Sequence, residues 1–142
     1  MRFLVDTNVY LDLILDRESF GKDAELFFKN CYLNKSQVYI TSMSLRDIGY
    51  AVHRVYHDQH KTLQAQFRAY EICSKVIDIT ADDSINSLFS EVKDYEDSLV
   101  LEAAKRTLVD AIITNNVKDF KNDEIPVITP KEYNKIIANT VN

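Results

Sequence analysis

Arg2-Phe3-Leu4-Val5 runs straight into Asp6-Thr7-Asn8, and an apolar segment with helical character opens at Val9, Leu11 and Leu13. Four residues with no polar alternation so close to the terminus read as a strand buried on both faces, as at the centre of a parallel sheet. A strand that ends in a carboxylate and turns at once into a helix delivers that carboxylate to the carboxyl edge of the sheet. Open α/β sheets bind their ligands at that edge. Asp6 is therefore the first candidate site residue.

The remainder alternates in the same way. Residues 22–33 place Leu26, Phe27, Cys31 and Leu33 near helical spacing, and Gln37-Val38-Tyr39-Ile40-Thr41 is a β-branched strand candidate. Ser42-Met43-Ser44 opens a helix whose stripe is Leu45, Ile48, Val52 and Val55, and residues 59–74 read as a helix with Leu63, Phe67, Tyr70 and Ile72 as its apolar residues. A strand over 75–80 and a helix over 81–92 follow. Asp94-Tyr95-Glu96-Asp97 then opens a helix reaching about Leu108, in which Asp97, Leu101, Ala104 and Leu108 share one side. Residues 111–114 form an unbroken apolar strand that feeds the polar loop 115–120. Residues 127–129 are a short last strand, and Thr129-Pro130-Lys131-Glu132 is a capping box with Pro at the first helical position. Strands alternating with helices, with no two-residue hairpin signal, predict a single three-layer α/β/α domain over residues 1–142 with a central, mostly parallel sheet.

Composition narrows the class. A chain of 142 residues suits one domain and buries about two-thirds of its unfolded surface. Cys31 and Cys73 lack metal spacing and read as free thiols of a reducing compartment. No signal-peptide pattern and no apolar run near the roughly 18 residues of a membrane span is present, so the expectation is a soluble, cytoplasmic protein with no membrane partner. A net charge of −5 argues against a general nucleic-acid coat, which needs a basic surface. His53, His57 and His60 stand at i, i+4, i+7, a spacing able to ligate a transition metal; without an acid or thiol to complete the set, a solvated helix face is the better reading.

Each acid has a plain structural explanation when taken alone. Asp6 and Asp94 fit helix caps, Asp97 an acid in a first turn, Asp47 the reciprocal acid of a box opened by Ser44, and Asp119 a solvated loop residue. Their joint placement is different. Parallel strands send Asp6, the start of the Ser44 helix and the 115–119 loop to one edge, and a helix packed antiparallel to the sheet starts there too. Two unit charges about 4 Å apart repel by roughly 4 kcal/mol at an effective dielectric near 20, whereas a cap contributes only about 1 kcal/mol. Capping does not justify such a cluster, and a divalent cation does. Oxygen-only ligands suit Mg²⁺ or Mn²⁺ rather than zinc.

The set Phe3-Leu4-Val5-Asp6-Thr7-Asn8, Asp94-Tyr95-Glu96-Asp97, Ile113-Thr114-Asn115-Asn116-Val117-Lys118-Asp119-Phe120 and Pro126-Val127-Ile128-Thr129-Pro130 resembles a PIN domain, and among those the VapC-like toxin ribonucleases of toxin–antitoxin pairs. The resemblance covers essentially the whole chain. It implies a Mg²⁺- or Mn²⁺-dependent endoribonuclease that cleaves single-stranded RNA, the toxin of a type II pair. It also implies an antitoxin partner and a homodimer, with Tyr50, Tyr56 and Tyr70 as dimer or antitoxin contacts.

It further implies an acidic quartet of Asp6, Asp47, Asp97 and Asp119, with Asp94 also at the metal and Asn8, Thr114 and Asn116 in support. Arg46, Arg54, Lys118 and Lys121 lie nearest the expected edge and would meet RNA phosphates. The family usually has Glu where Asp47 stands, and many members have Asp where Asn116 stands; whether Asp119 or a neutral group fills that place stays open. The alternative is a catalytically weak or inactive PIN-like binding or scaffold module. A phosphotransferase of the haloacid-dehalogenase type needs a second Asp two residues after the first, where this chain has Asn8.

Overall fold

The computed structural model describes residues 1–141. Its centre is β1 (Arg2–Val5), paired on one side with β2 (Gln37–Thr41) and on the other with β4 (Ala111–Ile113). β3 (Lys75–Ile77) and β5 (Val127–Ile128) close the edges, so the five strands run β3-β2-β1-β4-β5 and every pairing is parallel. β3 is shorter than the 75–80 run expected, because Asp78 to Thr80 leave the sheet to cap the next helix.

Strand alternation splits the core in two. Phe3, Val5, Val38, Ile40, Ala111 and Ile113 face one layer. That layer contains α1 (Thr7–Ile14), α2 (Glu18–Leu33), α3 (Ser42–Tyr56), α4 (Gln59–Ile72) and, after β5, α7 (Pro130–Thr140). Leu4, Tyr39 and Ile112 face the other, where Val100, Leu101, Ala103 and Ala104 of α6 (Tyr95–Thr107) pack on the sheet with α5 (Ala81–Leu88) beside them. This is a three-layer α/β/α fold. The first two crossovers, β1 to β2 and β2 to β3, carry α1–α4 over one face; the next, β3 to β4, carries α5 and α6 over the other. The winding reverses between β1 and β4, which opens a crevice at their carboxyl ends.

Three apolar stripes are not buried along their whole length. Leu63, Phe67 and Tyr70 of α4 are exposed, and its inward residues are Thr62, Ala65 and Ala69. Val55 of α3 is exposed as well. Leu108 does not extend the α6 stripe, since it is the left-handed C-cap at φ 53° and faces solvent. The Thr129 capping box with Pro130 at the first helical position is present as read, and both cysteines are free thiols. No helix of the described residues is long and apolar enough to cross a membrane.

Candidate active site

Asp6 sits where β1 becomes α1, and it is only 8% exposed. Its Oδ1 accepts the Thr7 N–H at 2.8 Å, so it caps α1. Its Oδ2 accepts the Thr114 hydroxyl at 2.8 Å and the Asn8 side-chain amide at 3.1 Å. Thr114 in turn accepts the Asn116 N–H at 3.1 Å, and Asn8 Oδ1 accepts the Asn115 N–H at 3.4 Å. Two short segments at neighbouring strand ends are thereby tied through one carboxylate. Burial raises the pKa of Asp6, with the Thr114 and Thr7 hydrogen bonds opposing.

The second wall comes from α3. Its N-cap is Thr41, whose Oγ1 accepts the Ser44 N–H at 3.0 Å, while the Thr7 hydroxyl donates to Ser44 at 2.8 Å. The box expected between Ser44 and Asp47 does not form, because the helix starts one turn earlier than that box requires. Asp47 instead lines a cavity of about 230 Å³ together with Asp6, Asn8, Glu96, Asp97 and Asn116. Burial raises the pKa of Asp47, and Arg46, 3.8 Å away, works against that.

The third wall is the first turn of α6. Asp94 is its N-cap and accepts the Asp97 N–H at 3.0 Å, which fixes the turn that points Asp97 at Asp6. The Asp97 carboxyl is pushed up to about 7, first by burial and then by the charges of Asp6, Asp94, Asp119 and Glu96. No lysine or arginine lines this cavity. Asp94 and Asp119 border an adjoining depression with Lys118 and Lys121, on the far side of the same turn. Asp119 closes a single 3-10 turn, Val117–Asp119. Arg54 is elsewhere, in the last turn of α3, its guanidinium 5.8 Å from the centre of the Tyr50 ring.

Two acids in this region escaped the sequence reading. Glu96 lines the cavity, and the acidic run 94–97 was the signal for it. Asp12, buried within α1, accepts the Asn115 side-chain amide at 2.6 Å and lies 3.5 Å from Arg17. It anchors the loop that brings Asn116 to the cavity. An acid amid Leu11, Leu13 and Ile14 was the available hint. The histidines divide between elements, His53 on α3, His57 as its C-cap and His60 on α4, and all three are exposed.

Among the described residues no three His, Cys, Asp or Glu side chains are already gathered as a metal cage. The donor set nonetheless fits a hard cation. Carboxylates stand on facing walls with no ammonium among the described lining residues, and burial together with the neighbouring acids pushes one of them, Asp97, up to about 7. Mg²⁺ is commonly held by only one or two carboxylates, with waters and substrate phosphate completing its six oxygens.

A match to the PIN domain family spans residues 2–118, from the strand that carries Asp6 through the loop that carries Asn116. The chain belongs to the PIN domain family. This PIN domain is similar in structure to VapBC from Salmonella typhimurium solved with DNA (TM-score 0.68, 17% identity, 92% of this chain and 98% of that one). It is similar to VapBC2 from Rickettsia felis bound to a DNA fragment from their promoter (0.63, 17%, 91% and 98%). It is also similar to VapC20 of Mycobacterium tuberculosis, described as a sarcin-ricin loop cleaving toxin (0.64, 14%, 87% and 98%). A comparison with curated protein sequences found no match. The family expected from the residues is thus confirmed, and the structural neighbours include VapC toxins.

Proposed function

We propose that this PIN domain is a Mg²⁺- or Mn²⁺-dependent endoribonuclease that hydrolyses single-stranded RNA as the toxin of a type II toxin–antitoxin pair. The observation that carries the reading is the cavity in which buried Asp6 and half-buried Asp97 meet Asp47 and Glu96 with no cation among the lining side chains. The likeness to VapBC complexes and to a toxin described as cleaving the sarcin-ricin loop supports it.

Asp6 and Asp97 would hold the ion, with Asp94 and Asp119 beside them. Bound there, the ion supplies a coordinated water of lowered pKa and a positive charge for the phosphate oxygens. The chain's own residues do the remainder. Asn8 and Thr114 pin Asp6 Oδ2 and so fix how the carboxylate faces the cavity. Asp47, whose burial raises its pKa, or Asp94 would orient the attacking water and take its proton. Arg46, Lys118 and Lys121 are exposed and would meet backbone phosphates. The exposed apolar strip of Leu63, Phe67 and Tyr70, with Tyr50 and Tyr56 nearby, would be covered by the antitoxin or by a second copy in a homodimer.

The test is cleavage of single-stranded RNA by the purified chain with Mg²⁺ or Mn²⁺. Asp6→Asn and Asp97→Asn, each checked for folding by circular dichroism, abolish cleavage by the proposal. Cleavage that persists in excess EDTA contradicts it. The second reading is an inactive binding module. Metal titration by calorimetry separates the two, since an inactive module gives no saturable Mg²⁺ or Mn²⁺ binding.

A further inference from the structure

Cations are unevenly distributed around the acidic cavity. On the α1 and α3 side the nearby guanidinium is that of Arg46, already 3.8 Å from Asp47. On the side of the first turn of α6 and the 3-10 turn lies a depression of about 390 Å³, lined by Lys93, Lys118 and Lys121 and by the carboxylates Glu91, Asp94 and Asp119, of which Asp94 and Asp119 are the two placed beside the ion in the reading above. All three lysines are exposed, and among the described residues none has an ion-pair partner. By contrast, Lys105 and Arg106 at the other end of α6 are each engaged by carboxylates.

Depression and cavity are lined by neighbouring residues of the same two segments, the first turn of α6 and the loop after β4. Asp94 of the depression accepts the N–H of Asp97 of the cavity, and Asn116 of the cavity leads by two residues to Lys118 of the depression. A ligand spanning both would meet the ion of the proposed site in the cavity and three ammonium groups in the depression, which favours one that carries negative charge at intervals. A phosphodiester chain does so, since one phosphate can enter the cavity while the next ones meet the ammonium groups. Lysine suits this task, being a point charge that meets phosphate without reading bases. The volume lies within the range of about 300–1,000 Å³ typical of ligand clefts, and nearly buried Val92 offers an apolar floor to a ribose or base.

We infer that the depression lined by Lys93, Lys118 and Lys121 binds the RNA backbone on one side of the cleaved phosphate, so that the strand is gripped more strongly there than on the other side, where Arg46 is shared with Asp47. This rests on the nuclease reading above and adds to it the direction in which the substrate leaves the site.

Two measurements test it. In the first, the full chain carrying Asp97→Asn, which prevents turnover, is titrated with a short fluorescent single-stranded RNA in Mg²⁺ across a KCl series. It is compared with the same chain also carrying Lys93→Ala, Lys118→Ala and Lys121→Ala. The lysine substitutions lower affinity by roughly an order of magnitude or more and make the slope of log affinity against log salt shallower by about two, at about 0.7 per phosphate for single strands. In the second, chains with Asp97 intact cut two RNAs whose cleaved bond lies near the 5′ or the 3′ end. Losing the lysines raises KM for the RNA whose long arm crosses the depression and leaves the other unchanged. An unchanged salt slope, or equal losses on both RNAs, overturns the inference, as does lost binding of an acidic peptide with RNA affinity intact. If the unsubstituted chain cuts no RNA, the nuclease reading fails instead, and the binding series still reports on the depression.

Discussion

Asp97 bears the electrostatic load of the site. Its carboxyl ionises near 7 in the folded chain because burial and four neighbouring acids oppose the charged form, whereas in the unfolded chain it returns to about 4. Between those values the native state binds more protons than the unfolded one, so stability falls as pH rises. Asp6, also raised by burial, adds to the same slope. The thermal midpoint of the metal-free protein should therefore decline from about pH 4 to about pH 7, and Asp97→Asn should flatten most of that decline. A midpoint that climbs across this window would mean the acids are not in conflict. Burial raises Asp12 as well, but here hydrogen-bond and charge partners, Asn115 and Arg17, oppose the shift. Asp12→Ala leaves the Asn115 amide without the acceptor now 2.6 Å away and frees Arg17. A loss of about 1 kcal/mol in urea unfolding is expected, with faster amide hydrogen exchange over residues 115–119. Asp12→Asn keeps an acceptor and should restore protection of the loop.

At the scale of elements, α6 is the piece that converts sequence into a candidate site, because its cap and the turn that lines the cavity are the same four residues. Asp94→Ala removes the acceptor for the Asp97 N–H and should cost about 1 kcal/mol in chemical denaturation. Asp94→Asn keeps a good cap and deletes one of the charges pressing on Asp97, so it should be at least as stable as the parent at pH 8. Equal losses for both would show that the charge, not the cap, matters to folding. β1, β4 and α6 were legible because their apolar residues are unbroken or keep helical spacing up to an acid at the sheet edge. The large apolar residues of α4 face outward for a physical reason. Small residues, Gly49 on α3 with Ala65 and Ala69 on α4, let the two helices approach closely. A Cβ on Gly49 would collide with the Gln66 amide, which donates to the Leu45 carbonyl at 2.9 Å. The large apolar side chains of α4 consequently face outward, against the usual rule that the most apolar stripe is the buried one. The start of α3 was ambiguous because Thr41, Ser42 and Ser44 can all cap; the end of β2 selects Thr41, which frees Asp47 for the cavity. Asp12 was missed because a lone acid in an apolar helix is ordinarily read as facing water.

For the whole molecule, the reversal of winding between β1 and β4 brings together residues more than a hundred positions apart, and the acidic cavity lies where the two helical layers meet the sheet edge. A cation held between Asp6 and Asp97 would join β1 and α6 across that crevice, cross-linking elements that metal-free chemistry pushes apart. Because the unfolded chain scatters these ligands, binding adds to folding stability by RT ln(1 + [L]/Kd), about 2.7 kcal/mol at one hundred times Kd. Mg²⁺ or Mn²⁺ should thus raise the thermal midpoint, and the rise should grow from pH 6 to pH 8 as Asp97 gives up its proton without competition. KCl at matched ionic strength should reproduce little of the effect, and Asp6→Asn should remove it. An equal rise with KCl, or one that survives Asp6→Asn, would locate the stabilisation in general screening of a chain of net charge −5 rather than in the cavity.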